Sequence, residues 1–230
     1  MVDYKKEFCA RLDSFHNKYS RWQVWTDFLY LSAASMANLA PVKERDQRER
    51  HYLSIINRYS KEEQNAFAEM LGIVVMALEE NPEQDFLGSL YHYLNLQQNQ
   101  KGQFFTPYHI CEFMSEITIG NKEDIAEELK EKGYVSVSDP ACGAGAMLIA
   151  FANAVKKREI NYQKYVLFMA QDIDLTAALM CYVQLSVLGC SAIVIVGDSL
   201  IKPDFHPDND VWYTPMYCIN HWRFEGVVHT

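Results

Sequence analysis

Residues 139–145 read Asp-Pro-Ala-Cys-Gly-Ala-Gly, and a short β-like run, Tyr134-Val135-Ser136-Val137-Ser138, leads into them. A strand that ends in an acid and turns through glycines into a helix restricts the fold severely. It is the first corner of a βαβ unit shaped for a nucleotide-type ligand. Gly143 and Gly145 carry no Cβ, so the backbone can come close to a bound group. The helix that follows presents free N–H groups to an anion. Asp139 places the opposite charge at the same point and can hold a cationic group that a phosphate loop would repel.

A lone Gly-x-Gly after a strand is often only a tight turn. Here the pattern repeats. Tyr165 to Ala170 form a second apolar run, which ends in Gln171-Asp172-Ile173-Asp174. An acid at the end of the second strand of such a unit is placed to grip a ribose diol. A third run, Ala192-Ile193-Val194-Ile195-Val196, ends in Gly197-Asp198-Ser199-Leu200. Three strands that each end in an acid at one edge of a sheet make a ligand crevice. A ligand with an ammonium, a carboxylate and a ribose fits it, and S-adenosyl-L-methionine is such a ligand.

Taken in order, Gly102-Gln103-Phe104-Phe105-Thr106-Pro107, Asp139 to Gly145, Gln171 to Asp174 and Gly197 to Leu200 resemble the adenine-N6 DNA methyltransferases. The likeness is greatest to the modification subunit of type I restriction systems, and it covers roughly residues 100–200. The resemblance implies a Rossmann-like S-adenosylmethionine-dependent methyltransferase fold and methyl transfer to adenine in DNA. It also implies roles for individual residues. Phe105, Thr106 and Pro107 would close over the methionine end of the cofactor. Asp139, Pro140, Ala141 and the Gly143–Gly145 loop would hold its amino and carboxylate groups. Asp172 would hold the ribose hydroxyls, with Ile173 against the adenine ring. Asp198, beside Ser199, would accept from the adenine amino group.

One departure counts against catalysis. The family's catalytic motif is Asn, Asp or Ser, then Pro-Pro, then Tyr or Phe. It holds the amino group of an adenine that has been flipped out of the duplex and stacked on the aromatic ring. The chain reads Trp212-Tyr213-Thr214-Pro215-Met216-Tyr217-Cys218-Ile219-Asn220-His221-Trp222-Arg223-Phe224 where that motif belongs. Asn220 is the candidate catalytic residue, with Trp222 or Phe224 as the stacking ring, but no Pro-Pro follows it. Without the resemblance, Asn220 reads as a turn residue and the aromatics as core or interface.

The charge argues against DNA binding by this chain alone. The formal net charge is −9. Residues 1–60 carry a net +3 and the remainder a net −12. Affinity for DNA comes largely from neutralised phosphates, which an acidic domain without a basic stripe does poorly. DNA is therefore expected as a partner only through another subunit or a further domain. Self-association, or membership of a restriction system as a subunit, is also expected. The dense segment Lys43-Glu44-Arg45-Asp46-Gln47-Arg48-Glu49-Arg50 alternates in sign, as a solvated helix face does. Six scattered cysteines form no Cys-x-x-Cys pair, which argues for a reducing compartment without structural zinc. Met1 to Lys6 lead into no apolar signal region, and no apolar stretch reaches membrane-spanning length. A cytoplasmic protein without membrane contact is expected.

Two regions separate along the chain. Residues 1–100 read as an α-helical N-terminal region. Apolar residues recur at helical spacing from Trp22 to Ala40, a second helix is expected over Val42 to Tyr59, and Ser60-Lys61-Glu62-Glu63 is a capping box. Asn81-Pro82 stops the helix that follows, and Phe86 to Leu96 forms another. Residues 101–230 read as the α/β methyltransferase-like domain. Thr106 and Pro107 are expected as N-cap and first helical residue, and Gly133 as a C-terminal glycine. Strands over 134–138, 165–171 and 192–196 read as continuous apolar runs, which suits a parallel sheet covered by helices on both faces. The sheet looks incomplete for the family, since only three or four strands fit before Thr230. Either the aromatic tail folds back as an edge strand, or the chain pairs with a partner or with itself. Two functions follow: an adenine-N6 DNA methyltransferase, or a methyltransferase-like binding or regulatory protein without catalysis and target recognition. Asn220 with an aromatic at the methyl end of the cofactor would favour the enzyme.

Overall fold

The structure is a computed structural model that describes residues 2–15, 18–38, 44–96 and 106–221. Five helices come first: α1 (Tyr4–Asp13), α2 (Arg21–Ala37), α3 (Arg45–Ile56), α4 (Lys61–Glu80) and α5 (Phe86–Tyr93). Except at α3, their starts are set by side chains that satisfy orphan N–H groups of the first turn. Ser20 Oγ accepts from Gln23 N, and Asp85 Oδ1 accepts from Gly88 N. At Ser60 the capping box is reciprocal, since Ser60 Oγ accepts from Glu63 N and Ser60 N donates to Glu63 Oε2. The third and fifth helices are shorter than their apolar patterns suggest. Tyr59, outside α3, packs its ring between Phe15 and Phe67 and donates its hydroxyl to Asp27 Oδ2 at 2.6 Å. Asn95, just after α5, has φ +54, which no α-helix continues through.

The second region runs α6 (Tyr108–Thr118), α7 (Lys122–Lys132), β1 (Val135–Asp139), α8 (Ala146–Lys157), α9 (Tyr162–Tyr165), β2 (Val166–Asp172), α10 (Leu175–Val187), β3 (Ser191–Val196), β4 (Asp210–Tyr213) and α11 (Pro215–Asn220). The first of these begins one residue later than expected. Pro107 is extended at ψ 137 and caps the helix from outside it. Gly133 does end α7, in the left-handed region at φ +79.

The four strands stand side by side in chain order. β1, β2 and β3 are parallel, with Val137 opposite Phe168 and Ala170 opposite Val194. β4 returns antiparallel along β3, with Val196 opposite Asp210 and Ile193 opposite Tyr213. The aromatic tail therefore supplies an edge strand, one of the two expected outcomes. Thr214 fastens it: its Oγ1 accepts from Ala192 N at 2.8 Å and donates to Cys190 O at 2.7 Å. β2 and β3 are buried along their length, as their sequences suggest, but β1 alternates, with Ser136 and Ser138 exposed. It lies at the sheet edge and pairs only with β2 among the described residues.

One buried cluster runs from Phe8 and Trp25 in the helical region through α10 to Trp212 in β4. α10 is its pivot, buried on nearly every side and packed against α2, α5, β2 and β3. Among the described residues no helix is long and apolar enough to cross a membrane.

Candidate functional site

The carboxyl ends of β1, β2 and β3 meet at one edge of the sheet, and the three acids are there. Asp139 closes β1, Asp172 closes β2, and Asp198 stands two residues past β3. The turn out of β1 carries two left-handed glycines, Gly143 at φ +53 and Gly145 at φ +93. The second caps α8, and a Cβ there would lie 2.8 Å from Cys181 Sγ on α10. Only glycine meets both demands.

The turn is tied to the neighbouring strand. Gly143 N donates to Asp172 Oδ2 at 2.8 Å, and Cys142 N donates to Gln171 O at 3.0 Å. Asp172 Oδ1 accepts from Asp174 N at 2.9 Å. The acid of the second strand thus clamps the glycine loop of the first, and each carboxylate oxygen keeps a lone pair for a ligand. Asp139 Oδ1 accepts from Ala141 N at 3.1 Å across the exposed Pro140-Ala141 turn. Burial raises the carboxyls of Asp139 and Asp172 above the usual 3.8, and the Asp172 charge adds to the rise at Asp139. Two carboxylates in a partly desolvated corner favour a cation between them.

A cavity of about 190 Å³ opens here, lined by Thr106, Cys111, Asp139, Cys142, Gly143 and Met147 among others. Small-molecule sites usually span about 300–1,000 Å³. The cavity therefore takes one end of an extended ligand, and the remainder lies along the exits of β2 and β3. Ile173, 68% exposed, offers an apolar surface there. Asp198 Oδ1 accepts from Leu200 N and Ile201 N, which leaves Oδ2 for a ligand, and Ser199 is half-buried beside it.

Thr106 and Pro107 lead into the helix that walls the cavity, while Phe105, Trp222 and Phe224 lie outside the described residues. Asn220 is not part of this constellation. Its Nδ2 donates to Gln163 O at 2.8 Å and Ser191 Oγ at 3.1 Å, which precede β2 and open β3. It stands at the amino edge of the sheet, because antiparallel β4 carries the chain back there. The structure does not bring it to the three acids: the side chain fastens α11 to the sheet.

Two residues outside the expected set shape the site. Gln171 Nε2 donates to Gly197 O and Lys202 O while its Oε1 accepts from Asp204 N, so it holds the loop after β3. Gln184 Nε2 donates to Ala144 O and to Asp85 Oδ1, and its Oε1 accepts from Leu87 N. It ties the glycine loop to the helical region. Each is a polar residue inside an apolar run, a sequence signal that marks a buried hydrogen-bonding post.

The sequence model of the N-6 DNA Methylase family matches residues 82–226, well over half of the 230 residues. Searches of curated proteins and of solved structures returned no match. The match spans every element of the corner, from α5 through the three acid-ended strands to α11, and the chain belongs to the N-6 DNA methylase family.

Proposed function

We propose that this chain binds S-adenosyl-L-methionine at the carboxyl edge of a Rossmann-like sheet and serves adenine-N6 methylation of DNA in a restriction-modification setting, most like a type I modification subunit. The observation that carries this reading is the hydrogen bond from Gly143 N to Asp172, which joins a glycine turn to the acid of the next strand beside Asp139.

The residues present fit the cofactor. Asp139 and Asp172, with raised affinity for protons, also suit an ammonium and a pair of ribose hydroxyls. The turn and the opening of α8 suit a carboxylate. Ile173 suits the face of a purine, and Asp198 its amino group. When bound, the cofactor supplies an electrophilic methyl group. The chain's own residues bind and orient that molecule, and Thr106 with Met147 narrows the cavity wall.

A second reading rests on the position of Asn220. With that side chain at the amino edge, the polar group and ring that hold a flipped adenine come from elsewhere, for example a partner subunit. The net charge of −9 also favours DNA contact through a partner.

Calorimetric titration with S-adenosylmethionine and with its demethylated product tests cofactor binding. Micromolar binding of both is expected, and no binding of either sinks both readings. Transfer of labelled methyl to duplex DNA by the saturated chain then separates the two. Transfer by the chain alone supports the complete enzyme, and transfer only with a partner subunit present supports the second reading.

A further inference from the structure

α10 covers β2 and β3, α8 covers β1, and α6 packs on α8 in turn. On that flank β1 is the last strand. The two elements meet at the cofactor cavity, where Thr106 and Cys111 stand on one side and Asp139 on the other. Cys111 packs against Ala146 and Ala150 of α8, and Ser115 Oγ donates to Met147 O at 3.5 Å. The face of α6 turned away from these contacts carries Ile110, Phe113, Met114 and Ile117, at the spacing of one helical stripe. All four are exposed, Phe113 by 66% and Ile117 by 67%. Single apolar side chains on a surface are ordinary, but a contiguous stripe marks a contact.

The strand beside it is also unfinished. β1 pairs only with β2 among the described residues, so its other edge offers a row of backbone donors and acceptors. Exposed edges are commonly blunted by lysine, proline or a bulge. β1 reads Val-Ser-Val-Ser-Asp in unbroken register with β2 and has none of these.

Charge selects the occupant. Residues 106–139 hold eight Asp and Glu against three Lys, a net −5 within a chain of −9. Glu123, Glu127 and Glu131 are exposed along α7 at a spacing of four, where like charges repel. A second copy docked about a two-fold axis would set this acidic segment against itself. A basic partner gains where a second copy loses. We propose that a basic polypeptide adds a β-strand to β1 and rests apolar side chains on the α6 stripe. A strand laid along β1 passes Asp139 and the cavity. What such a partner supplies there rests on the proposed function; the docking itself does not.

The probe is a short peptide of alternating leucine and lysine, titrated into the full chain without cofactor. Saturable shifts are expected for the backbone amides of 136–138 and of α6, with none from a matched leucine–glutamate peptide. Two further versions are N-methylated, each on one set of alternate residues. Only one set faces β1 in a paired strand, so one version should fail and the other bind. Phe113→Ser with Ile117→Ser, both exposed, should weaken binding roughly tenfold, the scale of two apolar contacts. No saturation with the leucine–lysine peptide overturns the proposal. So does binding of both N-methylated versions, equal binding of the leucine–glutamate peptide, or unchanged affinity in the double variant. A dimer in sedimentation that the double variant dissolves also overturns it, because the surface then belongs to a second copy. No cofactor enters these measurements, so the cofactor titration tests the proposed function separately.

Discussion

Asp172 clamps the glycine loop, and in the proposed function it also holds the ligand. Asp172→Ala removes the acceptor of Gly143 N and, on the proposed function, a charged partner for the cofactor. Cofactor affinity should fall by about 1–3 kcal/mol in calorimetry, the cost of a lost charge-assisted hydrogen bond. Unchanged affinity would place the ligand elsewhere. Asp139 is tested through protons. Its folded pKa is raised above 3.8, so without ligand the folded state binds more protons there than the unfolded state does. Its contribution to stability then falls as pH rises from 3.8 through the raised value. Asp139→Asn keeps an oxygen for Ala141 N and loses the titration. The variant's melting temperature minus that of wild type should therefore climb with pH across that window and level off above it. A flat difference would show that the carboxyl is not penalised by burial. These acids were legible in the sequence because each ends an apolar run and the runs are strands of one parallel sheet. Asn220 was misplaced because nothing in its own residues shows that the preceding strand runs backward.

At the scale of elements, α10 decides how the helical region meets the sheet. Gln184 on that helix is fully buried and satisfies Asp85, Leu87 N and Ala144 O together. Gln184→Met keeps the volume, orphans Leu87 N and Ala144 O, and leaves Asp85 Oδ1 with Gly88 N as its one donor of the two. A loss of about 3–5 kcal/mol in urea unfolding is expected, the upper range for breaking a buried network. A loss under about 1 kcal/mol would mean that water takes over the bonds. Helix ends were legible where a capping side chain starts one, as at Ser60, or a left-handed glycine stops one, as at Gly133. The Thr214-Pro215 start of α11 carries the same signal. What the sequence hid was pairing: a four-residue strand, Asp210 to Tyr213, carries no period that separates it from a loop.

For the molecule as a whole, the buried cluster that crosses from Trp25 to Trp212 predicts one cooperative unit. In native-state hydrogen exchange, the slowest amides of α2 and of β3 should open with the same free energy and the same denaturant dependence. Markedly weaker protection in α2 would show two units that only touch. The strand order has a further consequence. Because position in the sheet follows position in the chain, each strand finds its predecessor already made as the polypeptide leaves the ribosome. Synthesis at about 5–20 residues per second gives each unit time to dock before the next arrives. The bond between Gly143 and Asp172 spans only 29 positions. A nascent chain thus has its glycine turn and both neighbouring acids in hand before the strand that closes the sheet has been translated.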